Sequence, residues 1–327
     1  MVNFKKIASR FLKGYRKTAI FAITTVCNCR CIMCNMYKNK PESISFNDSK
    51  KILDFLSEKG FLIVYFTGGE PSLNKDIIKM IEYANNLDLV TSLTTNGTIS
   101  PKMLKELIEA GLYTLSVSID HWDPAISEYI RKYNGILEKQ KNTIRIAKKL
   151  GARVYASTYI NPYLNENNII NIVEYINNHL GIPIGFCYPS ITNTTYKLKE
   201  PYPNRNLKKI IEKIIFLKKI GYDIANSSIY LEDIINFYNN NNKNSKFYCK
   251  GGEDVFYIDW KGNVYPCFLK NKLFNILNNE KSFFLKNVNC NECLLDCFRE
   301  PSILSQLSLK SILKEIKYIN TIKKIML

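Results

Sequence analysis

Along most of the chain, short apolar runs alternate with stretches whose apolar positions recur every three to four residues. AIFAIT (19–24), LIVYF (62–66), LVTSL (89–93), YTLSVSI (113–119), ARVYAST (152–158) and IPIGFCY (182–188) are predicted as strands. Helices are predicted between them near 47–58, 74–86, 101–110, 124–149 and 165–179. Ser100-Pro101 supplies an N-cap and a proline at the first helical position, and Gly111 ends that helix. Strands separated by whole helices cannot be hairpins, so the pattern implies βαβ crossovers and a parallel sheet. Six such units make either a partial β/α barrel or an open doubly wound sheet, and the pattern alone does not separate them.

At the start, within residues 1–17, Phe4, Ile7, Ala8, Phe11 and Leu12 share one helical face, with Lys5, Lys6, Arg10 and Lys13 mostly around it. Such a helix packs on its own domain or, as a basic amphipathic helix, lies on an anionic membrane. After two more predicted helices (203–219 and 229–238), NNNNKNSK (239–246) reads as a linker. It closes a core of residues 18–238. The texture then changes to short segments and turn signals, with five cysteines between 249 and 297. Residues 247–300 are expected to form a small separate cysteine-rich domain held together by a metal. An amphipathic C-terminal helix is expected over 303–327, through Leu304, Leu307, Ile312, Ile316, Ile319 and Ile322.

Composition narrows the class. Hydrophobic residues make up 46% and charged residues 23% of 327 residues, which fits a globular chain and excludes a disordered one. No apolar run approaches the roughly 18–20 residues that span a bilayer. The N-terminus MVNFKKIASRFLKGYRKTAIF lacks an apolar signal region and a cleavage site, so a cytoplasmic protein is expected, with peripheral membrane contact confined to that first helix. The net charge of +17 invites nucleic acid, but the lysines are spread through almost every helical segment rather than clustered, which argues against it. Ten cysteines without an export signal point to metal ligation or catalysis rather than disulfides.

Directly after the first strand stands Cys27-Asn28-Cys29-Arg30-Cys31-Ile32-Met33-Cys34. Thiolates this close repel one another, so a cation must share them, with iron–sulfur clusters and zinc as candidates. A four-iron cluster bound by three cysteines leaves one iron open to a cofactor. The C-x3-C-x2-C of Cys27, Cys31 and Cys34 resembles the signature of the radical S-adenosylmethionine (SAM) superfamily. That resemblance implies a [4Fe–4S] cluster on these three cysteines, with Cys29 a packed thiol outside the pattern. It also implies that SAM chelates the open iron and that its reductive cleavage yields a 5′-deoxyadenosyl radical, which abstracts hydrogen from a substrate.

Further matches follow in order. Thr67-Gly68-Gly69-Glu70-Pro71 after the second strand resembles the family's GGE motif, which receives the SAM ammonium. Paired glycines permit close backbone approach, and Glu70 supplies an acceptor. Thr95 and Asn96 after the third strand, and Ser118 and Asp120 at the end of the fourth, match positions that contact SAM in relatives. Arg131 resembles an arginine that pairs with the SAM carboxylate. His121 and Trp122 are expected to pack in the loop, and Cys187 to be an inert buried thiol.

Cys249, Cys267, Cys290, Cys293 and Cys297 form the second set. Trp260-Lys261-Gly262 is a hairpin signal that brings Cys249 near Cys267. The arrangement is similar to SPASM/twitch extensions and implies a second, auxiliary [4Fe–4S] cluster; a structural zinc site is the alternative. The resemblance as a whole implies a partial (β/α)6 TIM-like barrel and a radical enzyme served by an electron donor such as ferredoxin or flavodoxin. The substrate is expected to be a peptide, a protein or a lipid. The competing reading is a non-catalytic zinc protein associated with nucleic acid.

Overall fold

The computed structural model describes residues 4–188, 204–239, 247–278 and 280–307. Helix α1 (Phe4–Leu12) precedes strand β1 (Lys17–Ala22). Five crossover units follow: α2 (Phe46–Glu58) to β2 (Phe61–Thr67), α3 (Ile77–Asn86) to β3 (Val90–Thr95), and α4 (Pro101–Glu109) to β4 (Thr114–Ser118). Then come α5 (Pro124–Arg131) and α6 (Ile136–Lys149) to β5 (Arg153–Tyr159), and α7 (Ile169–Glu174), extended by a π turn, to β6 (Ile184–Cys187). The six strands are parallel and pair in sequence order. This is the consecutive order of a β/α barrel left open between its first and last strands, not the reversed order of a doubly wound sheet.

The predicted strands and helices lie where the hydrophobic pattern places them, with one division. The expected helix 124–149 breaks at Lys132, which adopts a left-handed conformation (φ 51°), and resumes after Gly135. The linker expected at 239–246 lies outside the described residues except for Asn239.

Two helices, α8 (Asn204–Lys219) and α9 (Ser228–Asn239), lead to the C-terminal segment. This segment corrects the expectation of a separate domain. Strand β7 (Val255–Ile258) pairs in parallel with β1 and continues through the expected hairpin into β8 (Asn263–Tyr265) and β9 (Phe274–Asn275), making one nine-stranded sheet. All four β7 side chains are buried. A strand with two apolar faces needs cover on both sides, and the free edge of β1 supplies the backbone partners.

The C-terminal helix expected over 303–327 lies, from 308 onward, outside the described residues. Helix α10 spans Asp296–Gln306, beginning inside the cysteine run. It packs against α9 and touches β1, β6 and β7, so it sits across the open side of the barrel. A buried Arg299–Asp233 pair (Nε to Oδ2, 2.8 Å) holds its rotation, helped by Arg299 Nη1 on Asn291 Oδ1 at 2.7 Å.

The main core lies between the sheet and its outer helices and includes Phe21, Phe66, Leu93, Leu115, Val154 and Ile184. In α1, Ile7 and Phe11 pack on Leu62, Val90 and Tyr113 at the barrel floor, while Arg10 donates to the carbonyls of Leu87 and Phe61. These apolar residues of α1 face the protein rather than a membrane. Among the described residues no helix is long and apolar enough to cross a bilayer.

Candidate functional site

The cysteine loop leaves the C-terminal end of β1 and is stitched to α5. Arg30 N donates to Arg131 O (3.2 Å) and Ile32 N to Ile130 O (2.9 Å). Met33 is buried among Ile130 and Ile136 and anchors the loop just before its last cysteine. Cys29, 1% exposed, lies between Cys27 and Cys31, and its thiol hydrogen-bonds both. That bond, ahead of burial, pulls the Cys27 thiol down and brings Cys31 to about 7, with Arg131 helping at Cys31. Burial holds Cys34 up at about 11.

Three soft sulfurs in one loop, two of them poised to ionise, suit an iron–sulfur cluster. Among the described residues no three such groups are gathered to grip a single metal ion. A four-iron cluster needs no such convergence, because each thiolate binds a different iron.

The Gly68-Gly69-Glu70 strip runs beside the segment after β1. Gly69 N donates to Thr24 O at 2.7 Å and Glu70 N to Val26 O at 2.8 Å. A Cβ on Gly68 would lie 2.3 Å from Thr24 O, and one on Gly69 would lie 2.2 Å from Val26 O. The close approach that requires glycine is therefore to the root of the cysteine loop. Gly69→Ala is expected to cost about 1–3 kcal/mol through overpacking alone and to lower the iron retained after anaerobic reconstitution. Gly151, with φ of 71° and open space around it, is the control. Gly151→Ala should cost about 1–2 kcal/mol of backbone strain and keep its iron; equal iron in both variants would show that the approach does not matter.

Glu70 is fully buried, and its carboxylate is engaged by neighbouring strand ends. Oε1 accepts from Ser72 N (3.2 Å), Ser72 Oγ (2.7 Å) and Thr95 Oγ1 (2.9 Å), and Oε2 accepts from Asn96 N (2.7 Å). Burial pushes its carboxyl upward while these donors oppose the shift. The carboxylate ties the ends of β2 and β3 together. Pro71, buried, starts the short turn that follows.

Asn96 connects the third strand end to the cysteine loop. Its Nδ2 donates to Asn28 Oδ1 (2.7 Å) and to Cys29 Sγ (3.3 Å). Asp120 and Arg131, both expected to contact SAM, pair with each other: Nε to Oδ2 is 2.6 Å. Arg131 Nη1 also reaches Cys31 Sγ at 3.8 Å, and Asp120 Oδ1 accepts from Tyr159 N at 3.0 Å. Asp120 and Cys31 raise the arginine's pKa against the opposing effect of burial. Ser118 is half-buried at the end of β4, and its carbonyl accepts from Gln140 Nε2 at 2.5 Å, a partner sequence reasoning missed. His121 and Trp122 stack 3.9 Å apart as loop packing, as expected.

Below these strand ends the inner barrel face forms a chamber. On β5 the outward residues Val154, Ala156 and Thr158 are fully buried, whereas Tyr155, Ser157 and Tyr159 are half-buried. Tyr65, Thr94, Ser118 and Cys187 continue that reachable inner surface. The opposite wall is α10, which presents Asp296, Cys297 and Glu300. Asp296 Oδ1 accepts from Tyr188 N at 3.2 Å, and Glu300 is held by Ser227 N (2.5 Å) and Asn226 Nδ2 (3.2 Å). Burial raises Asp296 to about 6 and Glu300 to about 7. Cys187 lies 2.9 Å from Ser157 Oγ and within electrostatic reach of Asp120 above and Asp296 below. Of these α10 residues the sequence singled out Cys297 alone, as a member of the second cysteine set; Asp296 and Glu300 carried no such mark.

Behind α10 the second cysteine set gathers. Cys249 N donates to Cys290 O at 2.9 Å, and Cys267 and Cys293 pack against the same cluster.

Residues 21–176 match the Radical SAM superfamily. The GTP 3′,8-cyclase of Staphylococcus saprophyticus is 29% identical over 165 residues, 47% of this chain and 48% of that protein. The GTP 3′,8-cyclase of Nautilia profundicola is 25% identical over 272 residues, 78% of this chain and 81% of that one. The chain thus spans about half the length of the staphylococcal relatives it matches. Among solved structures, Streptococcus suis SuiB bound to S-adenosylmethionine superposes with a TM-score of 0.66 at 16% identity, covering 84% of this chain and 68% of that one. Native anSMEcpe with bound AdoMet gives 0.60 at 16% identity over 94% of this chain and 98% of that one. With an open parallel barrel, a C-x3-C-x2-C loop at the end of its first strand and the superfamily match, residues 21–176 form a Radical SAM superfamily domain.

Proposed function

We propose that the chain holds a [4Fe–4S] cluster on Cys27, Cys31 and Cys34, binds SAM across the ends of β1 to β4, and acts on a C–H bond of a polar, peptide-type substrate in the chamber. When bound, cluster and SAM supply a reductively cleaved sulfonium and a 5′-deoxyadenosyl radical. The chain's own residues do the rest. The backbone of Gly68 and Gly69 offers carbonyls to the SAM ammonium beside the cysteine loop. Glu70, Thr95 and Asn96 hold that strip against the end of β3 and the loop. Arg131, balanced by Asp120, keeps positive charge beside Cys31. Ser118 faces the space between SAM and substrate. A low-potential donor such as ferredoxin or flavodoxin supplies the electron.

The observation that carries the substrate class is the chamber's lining. Tyr65, Ser92, Ser116, Tyr155 and Ser157 stand on inward positions of four neighbouring strands, and Ser92 Oγ is buried with no hydrogen-bond partner among the described residues. An aliphatic lipid would leave Ser92 Oγ unsatisfied, at about 1–3 kcal/mol. A peptide brings donors and acceptors at regular intervals. Asp296 and Glu300 also disfavour a triphosphate, since Arg131 beside the chamber is already engaged by Asp120. SuiB has been solved bound to precursor peptide SuiA, which fits this class by fold alone.

The C-terminal cysteines are proposed to carry an auxiliary [4Fe–4S] cluster on the far side of α10. The test is anaerobic reconstitution with iron and sulfide, reduction by dithionite, and mass-spectrometric detection of 5′-deoxyadenosine. SAM cleavage is expected, faster with a mixture of synthetic peptides and unchanged by phosphatidylglycerol vesicles. Acceleration by vesicles alone would sink the polar-substrate reading, and no cleavage in any mixture would sink the enzymatic one.

A further inference from the structure

Resting on the auxiliary-cluster reading above, we infer that the C-terminal centre is closed by four thiolates, Cys249, Cys267, Cys290 and Cys293, and that Cys297 is a free thiol in the chamber wall. The five cysteines are not equivalent in space. Cys249 and Cys290 are cross-bridged through their backbones, and Cys293 lies within electrostatic reach of Cys249, Cys267 and Cys290 together. The charged or thiol groups that act most strongly on Cys297 are Asp296, Cys187 and Cys293, and two of these three belong to the chamber.

Helix geometry explains the split. At about 100° per residue, Cys297 lies about 60° around α10 from Glu300, which with Asp296 looks into the barrel. Cys249 meets α10 at Ser302, whose hydroxyl lies 4.0 Å from its sulfur and which stands about 140° around the helix from Cys297. Turning Cys297 toward the other four would require rotating α10. That rotation would break the buried Arg299–Asp233 pair and the Glu300 contacts with Ser227 and Asn226. The fold therefore delivers four donors to the centre and withholds the fifth.

Two consequences follow for chemistry. A centre with four protein thiolates has no open iron, so it does not ligate substrate and is limited to holding structure or passing electrons. Substrate must then be gripped by the chamber wall, where Cys297 and Cys187 place two thiols beside Asp296.

To isolate the C-terminal centre, Cys27, Cys31 and Cys34 are all replaced by alanine, and Cys297→Ser or Cys293→Ser is added. After anaerobic reconstitution, iron and sulfide per chain and the electron paramagnetic resonance signal of the reduced centre are measured. Cys297→Ser is expected to keep about four irons and an unchanged signal, and Cys293→Ser to lose both. As a measurement independent of substitution, iodoacetamide is applied to the reconstituted natural chain and its sites mapped by mass spectrometry. Cys297 should be alkylated and Cys293 protected. Loss of iron in Cys297→Ser, or alkylation of Cys293 in the reconstituted chain, would overturn the assignment while leaving the auxiliary cluster intact. Absence of iron in the triple-alanine parent itself would remove the auxiliary-cluster reading and this assignment with it.

Discussion

Cys31→Ala is expected to reduce 5′-deoxyadenosine formation to background while the chain remains folded. The loop that carries Cys31 is positioned by backbone bonds from Arg30 and Ile32 to the last turn of α5, by Met33 packing on Ile130 and Ile136, and by Asn96 on Asn28. None of these passes through the Cys31 sulfur. In the proposed cluster, removing it deletes one of three protein bonds, and two thiolates do not retain a four-iron cube.

Cys29→Ala separates ligand from neighbour. Cys29 hydrogen-bonds the thiols on either side and accepts from Asn96, so its loss perturbs two ligands without deleting either. Its effect should resemble that of an outer partner of a metal ligand, about 10–100-fold in affinity or rate, with iron still bound. Iron content, visible absorption and 5′-deoxyadenosine yield, measured without oxygen, decide the matter. If Cys29→Ala empties the site while Cys27→Ala leaves it filled, the loop uses a different trio from the one proposed.

The strand ends were legible in the sequence because each bears a local mark: a cysteine run, paired glycines, Asn-Gly, a serine–aspartate step. What those side chains touch was not, because their partners lie 11 to 100 residues away in the chain. Glu70 meets Thr95 and Asn96, and Arg131 meets Asp120 and Cys31. The chamber left a readable trace that went unused. In YTLSVSI and ARVYAST every second residue is polar or aromatic, the period of a strand with one wet face, whereas a parallel strand covered on both sides should be apolar throughout. Helix α10 was hidden for another reason. Its first turn coincides with the last cysteine and Pro301 stands inside it, so the sequence looks like a metal loop followed by a break. The union of β7 with β1 joins residues more than two hundred positions apart, and no local pattern announces that.

The second large effect is thermodynamic. Asp120→Ala is expected to lower stability by about 3–5 kcal/mol, because it strips the counter-charge from a buried guanidinium. The Asp120 side chain is wholly inaccessible and that of Arg131 is 11% exposed, so water cannot take over. The same substitution leaves Tyr159 N without its acceptor at the end of β5. For a chain of this size the loss corresponds to a fall in melting temperature on the order of 10 °C. Asp120→Asn keeps an acceptor for Tyr159 and loses only the charge, so it should fall between Asp120→Ala and the natural chain. Glu106→Ala breaks an exposed pair with Lys102 at 3.9 Å and should shift stability by less than about 1 kcal/mol. Thermal unfolding of the three variants without metal, in reducing buffer, tests the ordering independently of catalysis. A melting temperature for Asp120→Ala as high as that of Glu106→Ala would mean that Arg131 finds another partner within the loop. Its charge would then not depend on Asp120, and the guanidinium would be free to meet an anionic group of the cofactor.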